Sequence, residues 1–282
     1  MESRMDGDSV SKSFQVMGIL NLNSDSFYPD SRVASVDQAL ETAQRFIADG
    51  ADYLDLGAES SRPGSQAISE DQERARLIPA LTEIRRSFQI PISVDTYKPA
   101  IAKAAMQAGA NIINDITALQ RHRDMASVIA DHDGGVILMH MQGDPLSMQR
   151  NPHYDRLIED IYEYLEHSIA IAEEAGIDPK KIMIDPGIGF GKTLHHNLEL
   201  IAHLDRFLPL QKPILLGASR KSFIGNILGS MENEERLEGS LAAAVAAYSK
   251  GASVFRVHDV GPTVRALKVT SAIHKHRERK DS

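Results

Sequence analysis

Short apolar runs alternate with amphipathic stretches along almost the whole chain. Eight runs have the length and composition of buried β-strands: "FQVMGILNL", "YLDLGAE", "ISVDTY", "NIINDI", "GVILMHM", "KIMIDPG", "PILLGAS" and "SVFRVHD". Between them lie segments with helical apolar spacing, such as "VDQALETAQRFIADG" and "LEGSLAAAVAAYSKGA". The two kinds of segment recur about every 30 residues, the size of a βα unit. The pattern therefore predicts an α/β protein built from eight such units.

The alternation also predicts how the units are arranged. Four predicted helices end at a glycine, where a left-handed C-cap is expected: Gly50, Gly109, Gly176 and Gly251. No change of composition or Pro/Ser-rich linker interrupts the pattern. We therefore predict a single (β/α)8 TIM barrel over residues 14–273, with a doubly wound open sheet as the alternative. Residues 1–13 are predicted to be a flexible N-terminal segment and residues 274–282 a charged C-terminal tail.

Composition and charge restrict the kinds of molecule that the protein is expected to bind. The 282 residues carry a net charge of -8, which argues against a general nucleic-acid binder. The absence of cysteine excludes disulfides, thiolate metal sites and cysteine nucleophiles. The polar first residues lack the apolar region of a signal peptide, and no window is apolar for long enough to span a bilayer. We expect a cytoplasmic protein that acts on small molecules, without nucleic-acid or membrane partners.

In a barrel of this kind, chemistry is located where each strand ends. Almost every predicted strand ends in a polar or ionisable residue, and these are Asn21, Glu59, Asp95, Asn114, His140, Asp185, Ser219 with Lys221, and Arg256 with His258. A single residue of this kind is usually a cap or a turn residue. Residues of this kind at all eight strand ends of one rim indicate a site.

The last two strands contribute cations. Residues two apart on a strand share a face, so Arg256 and His258 are predicted to point into the barrel together. Their place near the usual phosphate site of loops seven and eight suggests a phosphate or diphosphate ligand. The alternative is a salt bridge from Arg256 to a carboxylate such as Asp185, with His258 only packing. By the same spacing, Lys221 points inward and Arg220 outward.

The facing strands carry Asp95, Asn114 and Asp185. A carboxylate can accept two parallel N–H bonds from a 2-amino-pyrimidinone edge, the edge of a pterin or a guanine. We therefore predict a cup for a pterin-like ring; a divalent metal held by Asp95 and Asp185 is the rival interpretation.

Two glycine-containing loops flank this cup. "DPGIGFGKT" ends like a phosphate-binding P-loop, but Pro186 occupies a position where that motif needs glycine. We interpret it as a tight turn over a ligand, with Phe190 as an apolar wall and Lys192 as a gate or a solvated end. "GAESSRPGS", which contains Arg62, is predicted to be a mobile lid or a surface turn.

Taken in order, "MGILNLNSDSF", "ESSRPG", "SVDTYKP", "INDI", "LMHMQG", "IDPGIGFGK", "GASRKSFIG" and "RVHDV" resemble the motifs of the dihydropteroate synthase family. The resemblance extends from about residue 14 to about residue 273. It implies a homodimeric (β/α)8 enzyme, the target of sulfonamides, that joins 4-aminobenzoate to a dihydropterin diphosphate with the help of Mg²⁺ and releases pyrophosphate.

Carried over by position, the resemblance implies a role for each site residue. The pterin would be held by Asp95, Asn114, Met139, Asp185, Gly189, Gly217 and Lys221. The diphosphate would be bound by Asn21, Ser61, Arg62, Arg256 and His258, with Asn21 also contacting Mg²⁺. The aminobenzoate would contact Phe27, Arg62, Pro63, Phe190, Ser219 and Lys221. Catalysis would depend on Asp95, Lys221, Arg256 and His258.

The first loop departs from the family pattern. Residues 23–31 read "NSDSFYPDS", which keeps Asp25 and Phe27 but lacks the glycines that usually follow Asp30. In the second loop Ser61 replaces the usual threonine and Ala58 a glycine. Three other functions remain open: a pterin-binding methyltransferase that transfers a methyl group to a corrinoid, an aldolase-like barrel with Lys221 as a Schiff-base amine, and a non-catalytic pterin binder.

Overall fold

The computed structural model describes residues 13–22, 29–60, 65–229 and 234–281. All eight predicted strands are present: β1 (Gln15–Asn21), β2 (Tyr53–Gly57), β3 (Ile92–Asp95), β4 (Ile112–Asp115), β5 (Gly135–Met139), β6 (Ile182–Asp185), β7 (Ile214–Leu216) and β8 (Ala252–Val257). The helices are α1 (Pro29–Ala48), α2 (Glu70–Ser87), α3 (Pro99–Gln107), α4 (Met125–Ala130), α5 (Leu157–Glu174), α6 (Leu194–Ala202), α7 (Ser222–Leu228), α8 (Leu237–Tyr248) and α9 (Val260–Asp281).

The strands form a closed parallel barrel in chain order, with β8 paired to β1. The predicted TIM barrel is therefore confirmed, and the open-sheet alternative is wrong. The four predicted C-cap glycines all have a positive φ, between 94° and 102°. These left-handed residues end α1, α3, α5 and α8 close to where the sequence predicts. The backbone of the expected C-terminal tail continues α9 as far as Asp281.

Strand alternation divides the apolar residues into two layers. Residues of one phase fill the barrel interior, and these are Met17, Ile112, Ile137, Met183, Leu215 and Val254. Residues of the other phase, such as Leu54, Leu56 and Phe255, belong to the larger core between the barrel and the helices. Inward positions further along each strand therefore reach the barrel mouth. Within the described residues, no helix is both long and apolar enough to cross a membrane.

Candidate active site

Four neighbouring strands bring the predicted pterin-binding residues together. Asp95 of β3 pairs in register with Asn114 of β4, and Met139 of β5 pairs with Asp185 of β6. All four side chains are buried. The Oδ1 atom of Asn114 accepts no hydrogen bond from any described residue. A buried acceptor without a donor is costly, so this atom is suited to receive a donor from a ligand.

Asp185 and Lys221 lie together at the base of this cup. Asp185 Oδ1 accepts a hydrogen bond of 2.7 Å from the backbone of Gly187. A Cβ atom on Gly217 would lie 3.5 Å from Asp185 Oδ2 and 3.6 Å from Lys221 Nζ, so the glycine leaves open the space that these two groups border. Burial raises the pKa of Asp185, and the charge of Lys221 opposes that rise.

Lys221 points into the site, as predicted, but for a different reason. Strand β7 ends at Leu216, so Gly217 and Lys221 do not share a strand face, and the phase argument for them is wrong. Instead, Lys221 is the extended N-cap residue of α7. Its ammonium lies 4.6 Å from the centroid of the Phe190 ring and donates to the carbonyl of Ile188. Burial lowers the pKa of Lys221 to about 8, although Asp185 opposes the change.

Arg220 is directed away from the cup. Its backbone is left-handed, with φ of 56°. The guanidinium donates to both oxygens of Asp259, at 2.8 Å and 2.6 Å. Arg236 also donates to the Arg220 carbonyl, at 3.0 Å. The prediction that Arg220 serves the periphery is confirmed.

Arg256 is on the inner face of β8, and two carboxylates hold it. Its Nε atom donates to Asp55 Oδ2 at 2.6 Å, and its Nη2 atom donates to Asp95 Oδ2 at 2.9 Å. The alternative that Arg256 forms a salt bridge is therefore correct, but its partners are Asp55 and Asp95 rather than Asp185. The strand-end rule does not predict a role for Asp55. A single aspartate between Leu54 and Leu56, in an otherwise apolar strand, is nevertheless a sequence signal for a functional residue.

Asp95 is a buried carboxyl group at the rim whose pKa is raised. Burial raises its pKa to about 7, and Arg256 acts in the opposite direction. The nearby charges of Asp55, Glu73 and Asp115 add to the rise. Asp95 therefore changes protonation state near neutral pH.

His258 and Ser219 join the loops that follow β7 and β8. The Ser219 hydroxyl accepts from the backbone N–H of His258 at 3.2 Å and lies 3.1 Å from the imidazole Nδ1. His258 follows the end of β8 at Val257 and remains partly exposed. These two predicted ligand contacts are thus directly connected beside Arg256.

The loop between β6 and α6 is held by side chains of other segments. Asn197 accepts from the Gly189 N–H at 2.7 Å, and Gln149 donates to the Gly189 carbonyl at 2.6 Å. Tyr154 donates to the carbonyl of Gly191 at 2.8 Å. Gly189 and Gly191 both have a positive φ, which favours glycine. This confirms the predicted tight turn and shows that it is braced.

Phe190 forms the predicted apolar wall. It packs in a cluster at the barrel mouth with Ile116, Met139, Met141 and Met148. Methionine side chains adapt readily to flat ligands and make favourable contacts with aromatic rings. The cluster therefore offers an apolar surface beside the polar cup.

Lys192 is neither a gate nor a solvated end; that prediction is wrong. It is 2% exposed, and its amine lies 2.9 Å from His140 Nδ1 and donates to the Phe190 carbonyl at 2.9 Å. Burial holds the pKa of both Lys192 and His140 well below their ordinary values. Lys192 thus supports the loop from the side that faces His140, a contact that no local sequence pattern predicts.

Glu59 follows the end of β2 and makes contacts within the protein. It forms an ion pair of 2.5 Å with Lys98 and accepts from the Tyr97 hydroxyl at 2.8 Å. Lys98 also pairs with Glu73 at 2.7 Å and donates to the carbonyl of Ile68. These contacts fix the chain around the second loop.

Comparison with known proteins decides the family. A family model described as pterin binding enzyme matches residues 17–258. The dihydropteroate synthase of Bacillus subtilis (strain 168) is 45% identical over 258 residues, covering 92% of this chain and 88% of that protein. The dihydropteroate synthase of Escherichia coli (strain K12) is 43% identical over 265 residues, covering 94% and 93%. This chain belongs to the dihydropteroate synthase family of pterin-binding enzymes.

Solved structures of the dihydropteroate synthase family have the same fold. The Yersinia pestis enzyme with a sulfonamide drug complex superposes with a TM-score of 0.88 at 41% identity, covering 98% of this chain and 100% of that one. The Xanthomonas albilineans enzyme with 4-aminobenzoic acid has a TM-score of 0.85 at 42% identity, covering 92% and 93%.

Several residues expected to act in this dihydropteroate synthase family member lie outside the described residues: Phe27, Ser61, Arg62 and Pro63. Asn21 is described, at the exposed end of β1. A Cβ atom on Gly57 would lie 3.9 Å from Asn21 Oδ1 and 3.6 Å from Asp95 Cβ, which places Asn21 at the same rim.

The oxygen ligands available at this rim bear on the expected Mg²⁺ site. In the part of the chain that the structure describes, no group of three or more His, Asp or Glu side chains could hold a metal ion. Mg²⁺ commonly uses one or two protein oxygens together with substrate phosphates and water. Asn21 therefore fits a metal ion that arrives with a diphosphate.

Proposed function

We propose that this protein condenses 4-aminobenzoate with (7,8-dihydropterin-6-yl)methyl diphosphate to give 7,8-dihydropteroate and pyrophosphate. The observation that carries the proposal is the buried cup of Asp95, Asn114 and Asp185, with an unsatisfied Asn114 oxygen and with Arg256 beside it. The membership of the dihydropteroate synthase family supports the same reaction. Relatives solved with 4-aminobenzoate support the second substrate.

The pterin ring occupies the cup in this proposal. The carboxylate of Asp185 accepts from its 2-amino-pyrimidinone edge, and Asn114 completes the hydrogen bonds from the next part of the rim. Asp95 accepts or donates on the remaining edge, since its pKa of about 7 gives access to both states at neutral pH. Met139, Gly189 and Gly217 line the slot, with Lys221 over the ring oxygen or N5.

The diphosphate lies towards the last strands. Arg256 and His258 donate to its oxygens, together with Asn21, Ser61 and Arg62. Arg62, Arg256 and His258 can carry a positive charge, and hydrogen bonds from charged donors to phosphate are about twice as strong as those between neutral groups. When bound, Mg²⁺ would neutralise charge on the leaving diphosphate, with Asn21 as a protein ligand.

The reaction is a displacement at the methylene carbon. The amine nitrogen of 4-aminobenzoate forms the new C–N bond, the C–O bond to the diphosphate breaks, and the oxygen leaves with the electron pair. Arg256 and His258 stabilise the charge that grows on this oxygen. The aromatic amine is nucleophilic as it stands, so no protein nucleophile is required. After the C–N bond has formed, the nitrogen loses one proton to the released pyrophosphate or to water.

The aminobenzoate approaches along the apolar wall. Phe190 and the Lys221 ammonium stacked on its ring form one side of this slot, and Ser219 lies at its end beside His258. Phe27, Arg62 and Pro63 would complete it. A sulfonamide that imitates 4-aminobenzoate would compete for the same slot.

Lys221 serves here as a cation rather than as a Schiff-base amine. Its pKa of about 8 leaves it mostly protonated at pH 7, when it is a poor nucleophile. The braced loop around Phe190 also supports catalysis over simple pterin storage, because it preforms a second slot. The test is product formation: dihydropteroate should be detected by mass spectrometry with both substrates present. Pterin binding without product would support the non-catalytic alternative.

We also propose that the protein is a homodimer. Four large apolar side chains on α6 and α7 are at least 37% exposed: Leu194, Leu198, Ile227 and Leu228. The two helices contact each other, and the proposal takes these four residues as part of one interface. Large contiguous apolar patches on a protein surface mark interaction sites. Sedimentation of the purified protein as a monomer at micromolar concentration would contradict this proposal.

A further inference from the structure

Asp55 is a buried carboxylate inside the barrel that the roles above leave unused. Its side chain has no exposed surface. Alternation along β2 directs Leu54 and Leu56 to the helices and Asp55 to the interior. Its register partners are Ile19 on β1 and Ser93 on β3. Asp55 is therefore a strand-centre residue that touches the barrel interior.

Asp55 lies one layer deeper than Asp95. Gly57, two residues after Asp55, is the register partner of Asp95. From this level the Asp55 Oδ2 atom accepts from Arg256 Nε at 2.6 Å, while Asp95 Oδ2 accepts from Arg256 Nη2 at 2.9 Å. The guanidinium is thus held by one carboxylate at the rim and one below it.

The two carboxylates differ in what else they can bind. Asp95 is at the rim, where the pterin edge needs it. Asp55 is enclosed and cannot reach a ligand in the mouth. If Asp95 alone held Arg256, ligand binding would compete with that contact, and the guanidinium would lose its fixed place. Among the described residues, Asp55 pairs with Arg256 alone, through Oδ2, and its Oδ1 atom accepts no hydrogen bond there. This pairing removes the competition, and the ion pair offsets part of the cost of the buried charge of Asp55.

We propose that Asp55 is the positioning residue of Arg256. It anchors the guanidinium from below, so that Arg256 keeps its donors at the diphosphate site while Asp95 turns to the pterin. This inference rests on the proposed function, because it takes the diphosphate as the ligand of Arg256. It assigns to Asp55 an effect on diphosphate binding that reaches the ligand only through Arg256.

A double-mutant cycle tests this assignment. The variants are Asp55→Asn, Arg256→Gln and the double variant, and the probes are dihydropterin diphosphate and 6-hydroxymethyl-7,8-dihydropterin, which lacks the diphosphate. Asp55→Asn should weaken binding of the first probe at least about tenfold, equivalent to about 1.4 kcal/mol. In the Arg256→Gln background the same change should alter binding by no more than about twofold, the limit of additivity error.

The second probe separates positioning from general damage. Binding of the pterin without diphosphate should change by no more than about twofold in Asp55→Asn. Ser93→Ala is the matched control: this register partner of Asp55 is equally buried, and its hydroxyl makes no hydrogen bond within the described residues. It should bind both probes like the wild type.

Each outcome bears on one claim. Equal losses for both probes in Asp55→Asn, or a full further loss in the Arg256→Gln background, would overturn the positioning role. If Asp55→Asn does not fold, the double variant still decides, because it removes both members of the Asp55–Arg256 pair together; it should bind both probes like Arg256→Gln alone. A wild-type protein that binds neither probe would instead refute the proposed function.

Discussion

Replacing Lys221 by methionine removes the cation at the junction of the two proposed substrates. The variant keeps most of the side-chain volume but loses the ammonium beside Asp185 and the Phe190 ring. A hydrogen bond to a charged group contributes about 1.5–3 kcal/mol. We therefore expect dihydropterin diphosphate to bind about 10- to 150-fold more weakly.

The pH dependence adds a second signature. The pKa of Lys221 is lowered to about 8, so the ammonium is present below that pH and is lost as the pH rises through it. The part of the pterin affinity that depends on Lys221 should therefore decline above about pH 8 in the wild type. The Lys221→Met variant should lack this decline.

Arg220→Met is the matched control, because Arg220 is the adjacent cation and pairs with Asp259 instead. It should bind the pterin within about twofold of the wild type. Isothermal titration calorimetry of the three proteins between pH 6.5 and 9, a range of about one to two units around the Lys221 pKa, makes the comparison. Equal losses in both variants would refute the assignment of Lys221 to the site.

Four further results are expected. Asp185→Asn should weaken dihydropterin diphosphate binding by about 1.5–3 kcal/mol through loss of a charge-assisted pair, and an unchanged dissociation constant in calorimetry would contradict this. Because the pKa of Asp95 rises from 3.8 to about 7 on folding, the free energy of unfolding of the wild type should fall as the pH rises across that interval. The Asp95→Asn variant should lack this part of the fall, and curves of unfolding free energy against pH that run parallel in the two proteins would contradict the assignment. Lys192→Met should lower the free energy of unfolding by about 1–3 kcal/mol, since the Phe190 carbonyl loses its donor, and unchanged urea midpoints would argue otherwise. Leu198→Asp should shift the protein towards monomer in sedimentation, and an intact dimer would exclude this face.

The barrel could be predicted because its signal is local and repeated. Each apolar run is long enough for one strand, and four of the helices are followed by a glycine near their C-terminal end. Positive φ values at Gly50, Gly109, Gly176 and Gly251 bear this out. Strand ends converge by topology, so Asp95, Asn114 and Asp185 could be grouped without knowing any distance.

What could not be predicted depends on packing between distant segments. The inward course of Lys221 depends on how the chain turns after β7, which strand alternation does not describe. Lys192 folds back to His140, more than fifty residues earlier in the chain, and no spacing rule links them. Asp55 lies inside a strand rather than at its end, so the rule that places chemistry at strand ends does not predict it.

Pyrophosphate release tests the central claim most directly. Purified protein would be given dihydropterin diphosphate, with and without 4-aminobenzoate and Mg²⁺, and phosphate would be counted after pyrophosphatase treatment. The proposed function predicts that pyrophosphate is released only when both 4-aminobenzoate and Mg²⁺ are present. The amount released should equal the amount of dihydropteroate formed, mole for mole. Pterin diphosphate that binds but releases no pyrophosphate when the amine and Mg²⁺ are present would contradict the proposed function.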